Sequence, residues 1–121
     1  VLFDTTQVAL ERSISGAAQR HEALAANIAN ASTPGYRRVD VDFHGTLAAA
    51  MRSSDRPRDA IEHTTFVTEV DRSVGATRAD GGSIDIDAES AKLAANALDQ
   101  QAAVAVAKTR IAILRSAMGV A

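Results

Sequence analysis

With 121 residues the chain is large enough for one domain, and its apolar share of 46% contains three Phe, one Tyr and no Trp, a supply that favours narrow helix-on-helix packing by small Ala side chains over a thick core. The 13 basic and 15 acidic residues are mixed along the chain to a formal net charge of −2, which gives no broad field for nucleic acid or an anionic membrane. The absence of cysteine excludes a disulfide framework and thiolate zinc sites.

Residues 1–32 read as an N-terminal helix. From Phe3 to Ile28 two lines recur at heptad spacing, Phe3, Leu10, Ala17, Leu24 and Gln7, Ile14, His21, Ile28, the pattern of a coiled-coil seam. Gln7 and His21 interrupt the second line with polar groups of the kind that set register. A plain amphipathic helix facing its own core would carry the same spacing. The chain shows no basic start followed by an apolar run, and no apolar stretch near the ~20 residues that span a bilayer. No direct membrane insertion is expected, and any export is expected to proceed without a cleaved signal peptide.

Thr33 before Pro34 stops the helix, since the residue before proline is pushed towards extended conformations and proline cannot donate to a continuing helix. Pro34 and Gly35 suit the central positions of a type II turn. Residues 33–86 then read as turn, short strands and exposed insert. Val39, Val41 and Phe43 alternate with Asp40 and Asp42 as a half-buried strand. Only a short helix near Thr46 to Arg52 is indicated, and the charged stretch from Ser53 to Asp59 has no core pattern. Ile61 to Val70 holds β-branched and aromatic residues for a strand or hairpin arm, while Gly75 and Asp80 to Ser83 are turn signals.

Residues 87–121 read as a C-terminal helix, with Asp87 as its N-cap, Glu89 at the positive end of the dipole, and Lys108, Arg110 and Arg115 in its last third. Its expected seam is Leu93, Ala97, Gln100, Val104, Ala107, Ile111, Leu114 and Met118. The fold class expected is therefore mainly α, two long terminal helices in a coiled-coil-like hairpin with an irregular, short-β insert between them.

The segment Ala25 to Tyr36, AANIANASTPGY, resembles the N-terminal signature of the flagellar axial proteins: a helix ending in two Asn residues, then Thr-Pro-Gly and an aromatic. Its continuation from Arg37 to Phe43, the stretch Arg78 to Asp87, and Ile113 to Gly119 are similar to the proximal rod branch of the flagellar basal-body rod proteins. Gly82 and Ser83 stand where that family usually has two Asn residues, and Gln100 where an aromatic is common. The resemblance implies a structural subunit that self-assembles through its terminal helices into the rod, the drive shaft of the motor. It also implies export through the flagellar type III apparatus to a rod crossing the periplasmic space, with other rod proteins, the hook-basal-body adaptor protein and the export gate as partners. The assembly residues expected are Leu10, Ile14, His21, Leu24, Asn27, Ile28, Asn30, Thr33, Pro34, Gly35, Tyr36, Val104, Ile111, Leu114 and Met118.

Chemistry-bearing readings are weaker. Asn27 and Asn30 lie three apart on one helical face, so both amides suit a neighbouring chain or simply the turn that follows. His21, His44 and His63 are not spaced to converge on zinc; His21 reads as a register residue and the others as solvated. Asp80 to Glu89 is acidic, but Gly82 and Ile84 stand where a calcium loop needs side-chain oxygen. There is no nucleophile elbow, phosphate loop or metalloprotease His pair, so no enzyme, cofactor or metal is expected. Arg37, Arg38, Arg56 and Arg58, interleaved with acids, read as solvated surface. The alternatives are a helical regulator or chaperone binding one partner helix, which needs one docking face where a filament subunit needs two, or another proximal rod subunit.

Overall fold

The computed structural model of the chain describes residues 4–52, 55–72 and 84–119. Its first helix, α1, spans Thr5–Ala29 and starts where the Asp4 side chain accepts a hydrogen bond from the Gln7 amide at 2.9 Å, occupying one of the donors a helix start leaves unpaired. The chain then turns through Thr33 to Tyr36, where the Tyr36 amide donates to the Thr33 carbonyl at 3.2 Å and Gly35 has φ +74°. That left-handed φ is open to glycine at little cost.

Beyond the turn, strand β1 (Val39–Asp40) pairs antiparallel with β2 (Glu69–Val70), Val39 opposite Val70. Between them lie helix α2 (Phe43–Arg52) and helix α3 (Pro57–Glu62). Asp42 caps α2, its carboxylate accepting from the Gly45 amide at 3.0 Å. Pro57 stands at the start of α3, where its missing N–H costs nothing. Helix α4 (Ile86–Ala117) closes the chain, about 48 Å long at ~1.5 Å per residue. Gly119, just past its end, has φ +73°, the usual glycine stop.

Helix α1 is sandwiched. One side meets α4 along its length, antiparallel, as Asp4 pairs with Arg110, the Ala17 carbonyl with Asn96, and Asn27 with Glu89. The other side receives β1, α2 and α3. The main apolar cluster sits on that second side: Val8, Ala17, Ala23, Val41, Phe43, Leu47 and Ile61. Phe66 meets Phe43 edge-on at 6.3 Å. Gly16 permits the approach, because a Cβ there would stand 2.6 Å from Phe43 Cβ. The stretch from Thr64 to Thr68 crosses α1 as a strap: Arg12 donates to the Thr64 carbonyl and lies 5.1 Å over the Phe66 ring, and Gln19 donates to the Phe66 carbonyl at 3.0 Å.

The terminal hairpin and the turn match the sequence reading; several details differ. Helix α1 ends at Ala29 with Asn30 as its cap, before Thr33 and Pro34 are reached. Phe43 opens α2 and is no strand residue, because the Asp42 cap turns the chain after two paired residues. Ile61 and Glu62 belong to α3, so the Ile61 to Val70 strand shrinks to Glu69–Val70. The stretch read as patternless holds the start of α3, which delivers the fully buried Ile61. Asp85, not Asp87, caps α4, accepting from the amides of Asp87 at 3.0 Å and Ala88 at 3.2 Å. Phe3, Ser53, Gly75 and Asp80 to Ser83 lie outside the described residues.

Candidate functional site

Asn27 is the centre of the segment that carries the family resemblance, and it has no exposed surface. Its amide nitrogen donates to the Val39 carbonyl at 2.7 Å and to Glu89 Oε2 at 3.0 Å, while its oxygen accepts from the Val39 amide at 2.9 Å and, at a long 3.4 Å, from the Tyr36 hydroxyl. One side chain thus satisfies both backbone groups of Val39, as a neighbouring strand would. Asn30 closes the helix instead, donating to the Ala26 carbonyl at 2.8 Å and accepting from the Thr33 hydroxyl at 3.2 Å. Both amides are therefore engaged inside the chain.

Arg38 reaches the same point from the turn. Its guanidinium pairs with Glu89, with Asp71 at 2.9 Å and with Asp40 at 2.7 Å, joining α4, the residue that follows β2, and β1. Arg20 adds a second cation on Asp40 at 2.8 Å, and Lys92 a weaker one on Glu89 at 3.5 Å. Burial pushes the Asp40 carboxyl up, but hydrogen bonds from Arg20, Arg38 and the Val41 amide outweigh it and bring its pKa to about 2. For Arg38, burial disfavours the charge, and the hydrogen bonds it donates to Glu89 and Asp40 more than restore it. A buried ion needs this degree of pairing, since a lone one costs several kcal/mol. The assignment of Arg38 to solvated surface is thus corrected: it is the half-buried hub of an ion network whose one fully buried member is Glu89.

The expected assembly residues divide into three sets. Leu24 and Asn27 are buried; Leu10, Ile14, Ile28, Asn30, Tyr36, Val104 and Leu114 are half-buried; His21, Thr33, Pro34, Gly35, Ile111 and Met118 are exposed. The turn gathers Asn27, Asn30, Thr33 and Tyr36 into one hydrogen-bonded knot. The α4 seam sits to one side of the line read from sequence. Of that line only Ala107 is buried, whereas Glu89 and Asn96 are, and Arg110 pairs with Asp4 at 2.9 Å. The Asp4 carboxyl is held below its ordinary range by the Gln7 amide and by Arg110. Asn96 donates to the Ala17 carbonyl at 2.8 Å. Sequence reasoning missed Arg38, Asp40, Glu89 and Asn96 as packing residues; the heptad interval from Glu89 to Asn96 was the available signal.

The remaining faces of α4 are exposed and mix large apolar residues with Asp99, Lys108 and Arg115. Leu98 is 66% exposed, Ile113 62% and Met118 59%; α1 is the main element packed on α4, joined by single side chains such as His44 of α2, 3.2 Å from Asp99. Several large apolar side chains left in water on one helix mark a surface for another chain to cover. No described helix is long and apolar enough to cross a membrane.

Residues 13–37, from the middle of α1 through the turn, match the family described as flagella basal body rod protein. The chain is 35% identical to the flagellar basal body rod protein FlgB of Escherichia coli (strain K12), over 69% of this chain and 71% of that one. It is 36% identical to FlgB of Salmonella typhimurium, over 74% of this chain and 75% of the relative. The likeness to FlgB of Bacillus subtilis (strain 168) is 29%, over 85% of this chain and 84% of the relative.

Proposed function

The chain belongs to the FlgB group of flagellar basal body rod proteins, and from that premise we propose how it serves as a structural subunit of the proximal rod. The two long helices, α1 and α4, form the assembling hairpin, and β1, α2 and α3 brace it from the other side of α1. The role is mechanical: the subunit transmits load. It leaves the cytoplasm through the flagellar type III export gate without signal cleavage and joins the rod in the periplasmic space. Its neighbours there are other rod proteins and the hook-basal-body adaptor protein.

The observation that carries this reading is α4, a helix packed mainly on one side, by α1, that presents Leu98, Val106, Ile113 and its C-cap Met118 to solvent on the others. A monomer gains nothing by presenting Leu98, Val106, Ile113 and Met118 to water, whereas an assembly buries them. Of the expected assembly residues, Val104, Ile111 and Leu114 lie on α4 and Met118 caps its end, and in this reading a neighbour meets them there. The turn residues Thr33, Pro34 and Gly35 are open to a second one, with Asn27 and Tyr36 holding the turn from beneath.

The test is Ile111→Asp with Leu114→Asp in a strain lacking its own proximal rod subunit and complemented by this chain. Ile111 is exposed and Leu114 half-buried, so the hairpin should survive in the monomer. Secretion of the variant without rods or hooks is the expected result. Normal rods would overturn the assembly role of α4.

A further inference from the structure

We propose that one copy of the chain docks the outer face of its α1 onto the outer face of α4 of the next copy, a head-to-tail contact set by charge. This rests on the reading of the chain as a rod subunit and names the faces that meet. Besides its seam with α4, α1 carries a second heptad line, Glu11, Ser15, Ala18, Glu22, Ala25 and Ala29, and every member is exposed. Helix α4 carries one too, Leu98, Ala102, Ala105, Thr109, Ala112 and Ser116, likewise exposed throughout. Spacings of four and three keep each line on one face of its helix. Both are built mainly of small residues, so two backbones can approach closely.

The two faces differ in charge, and that difference selects the pairing. The α1 line includes two carboxylates, Glu11 and Glu22. The α4 line has no charge, but Lys108 and Arg115 flank it seven residues apart, both exposed, and neither meets a carboxylate among the described residues; the acid beside the line, Asp99, is engaged by His44 at 3.2 Å. Pairing α1 with α1 sets acid against acid, and pairing α4 with α4 sets base against base. Pairing α1 with α4 matches opposite signs around an apolar strip that covers Leu98 and Ile113. Because the two faces are different surfaces of one subunit, the contact does not close on itself and repeats from copy to copy. A helical tube needs that property.

Two double variants of the full-length purified chain test the inference, Glu11→Lys with Glu22→Lys, and Lys108→Glu with Arg115→Glu, compared by sedimentation velocity at low salt. Wild type should self-associate in a salt-sensitive manner. Each variant alone should need roughly tenfold higher concentration, the scale expected of two exposed pairs. An equimolar mixture of the two variants should associate as wild type does, since each then offers the other an opposite face. Ala105→Trp, which changes no charge, should block association by bulk alone. A monomeric wild type, a variant that associates unaltered, or a mixture that stays apart overturns the inference. Circular dichroism should show unchanged helix content, because all the altered residues are exposed. Complementation of a rod-subunit deletion by the wild-type chain separates the two levels: rods formed with this contact absent leave the rod reading standing, and failure to form rods counts against that reading itself.

Discussion

Asn27→Ala is the most informative single change. It leaves the Val39 amide and carbonyl without partners and strips one hydrogen bond from the buried Glu89 carboxylate. An unsatisfied buried polar group costs roughly 1–3 kcal/mol, more beside a charge. Val39 is half-buried, so water recovers part of the loss, and the net should be about 3–4 kcal/mol of unfolding free energy. Against a typical total of ~5–15 kcal/mol, that is a large share. Asn30→Ala is the internal control, because Asn30 is half-buried and engages one backbone carbonyl and one hydroxyl; about 1 kcal/mol or less is expected there. Urea titration of both variants followed by circular dichroism, with a common slope, measures the difference. Equal and small effects would refute the reasoning, placing the value of Asn27 at a surface and not in the fold.

Acid should loosen the same knot. The Asp40 pKa lies below its unfolded value, at about 2, so its contribution is present above pH ~4 and lost between about pH 4 and 2; allowing for solvent screening it amounts to roughly 1–2 kcal/mol. Asp40→Asn should flatten the pH dependence of the urea midpoint in that window. Gly16→Ala places a methyl group against Phe43 Cβ, which cannot rotate away, and about 1–3 kcal/mol of destabilisation with a lowered melting temperature is expected. Asp85→Ala removes the acceptor for two amides at the start of α4 and should cost about 1 kcal/mol, read as faster hydrogen exchange in the first turn.

The long helices and the turn were legible because each has a local cause, heptad spacing for the first and Pro34 before a glycine with positive φ for the second; the end of α1 was read too late, because Asn30 closes it before Thr33-Pro34. The α4 seam was legible only in part, since it is held by Glu89, Asn96 and Arg110, polar residues that a hydrophobic pattern passes over. Their partners, Asn27, Ala17 and Asp4, lie more than sixty residues away. Arg38 looked like surface because its three carboxylate partners come from three separate stretches of chain. The cap at Asp42 hid only the first turn of α2, by a side chain that ends an alternating pattern after Asp40; the rest, Thr46 to Arg52, was read as a short helix. Of the candidate site, the turn could be seen in the sequence and the network beneath it could not.

The three polar ties of the hairpin close loops of different length, with partners 62, 79 and 106 residues apart for Asn27–Glu89, Ala17–Asn96 and Asp4–Arg110. Closure entropy grows only logarithmically with loop length, so the first tie bears nearly all of it; going from the shortest loop to the longest adds only about 0.5 kcal/mol. Once Glu89 reaches Asn27, the two helices can zip away from the knot towards the chain ends, each new contact a short step from the last. The knot therefore acts as the nucleus of the hairpin, and the far end, at Asp4 and Arg110, is the last to order and the first to fray. A subunit built this way cannot form its hairpin until more than two thirds of its chain is available, and it keeps its loosest turns at the ends of the two helices.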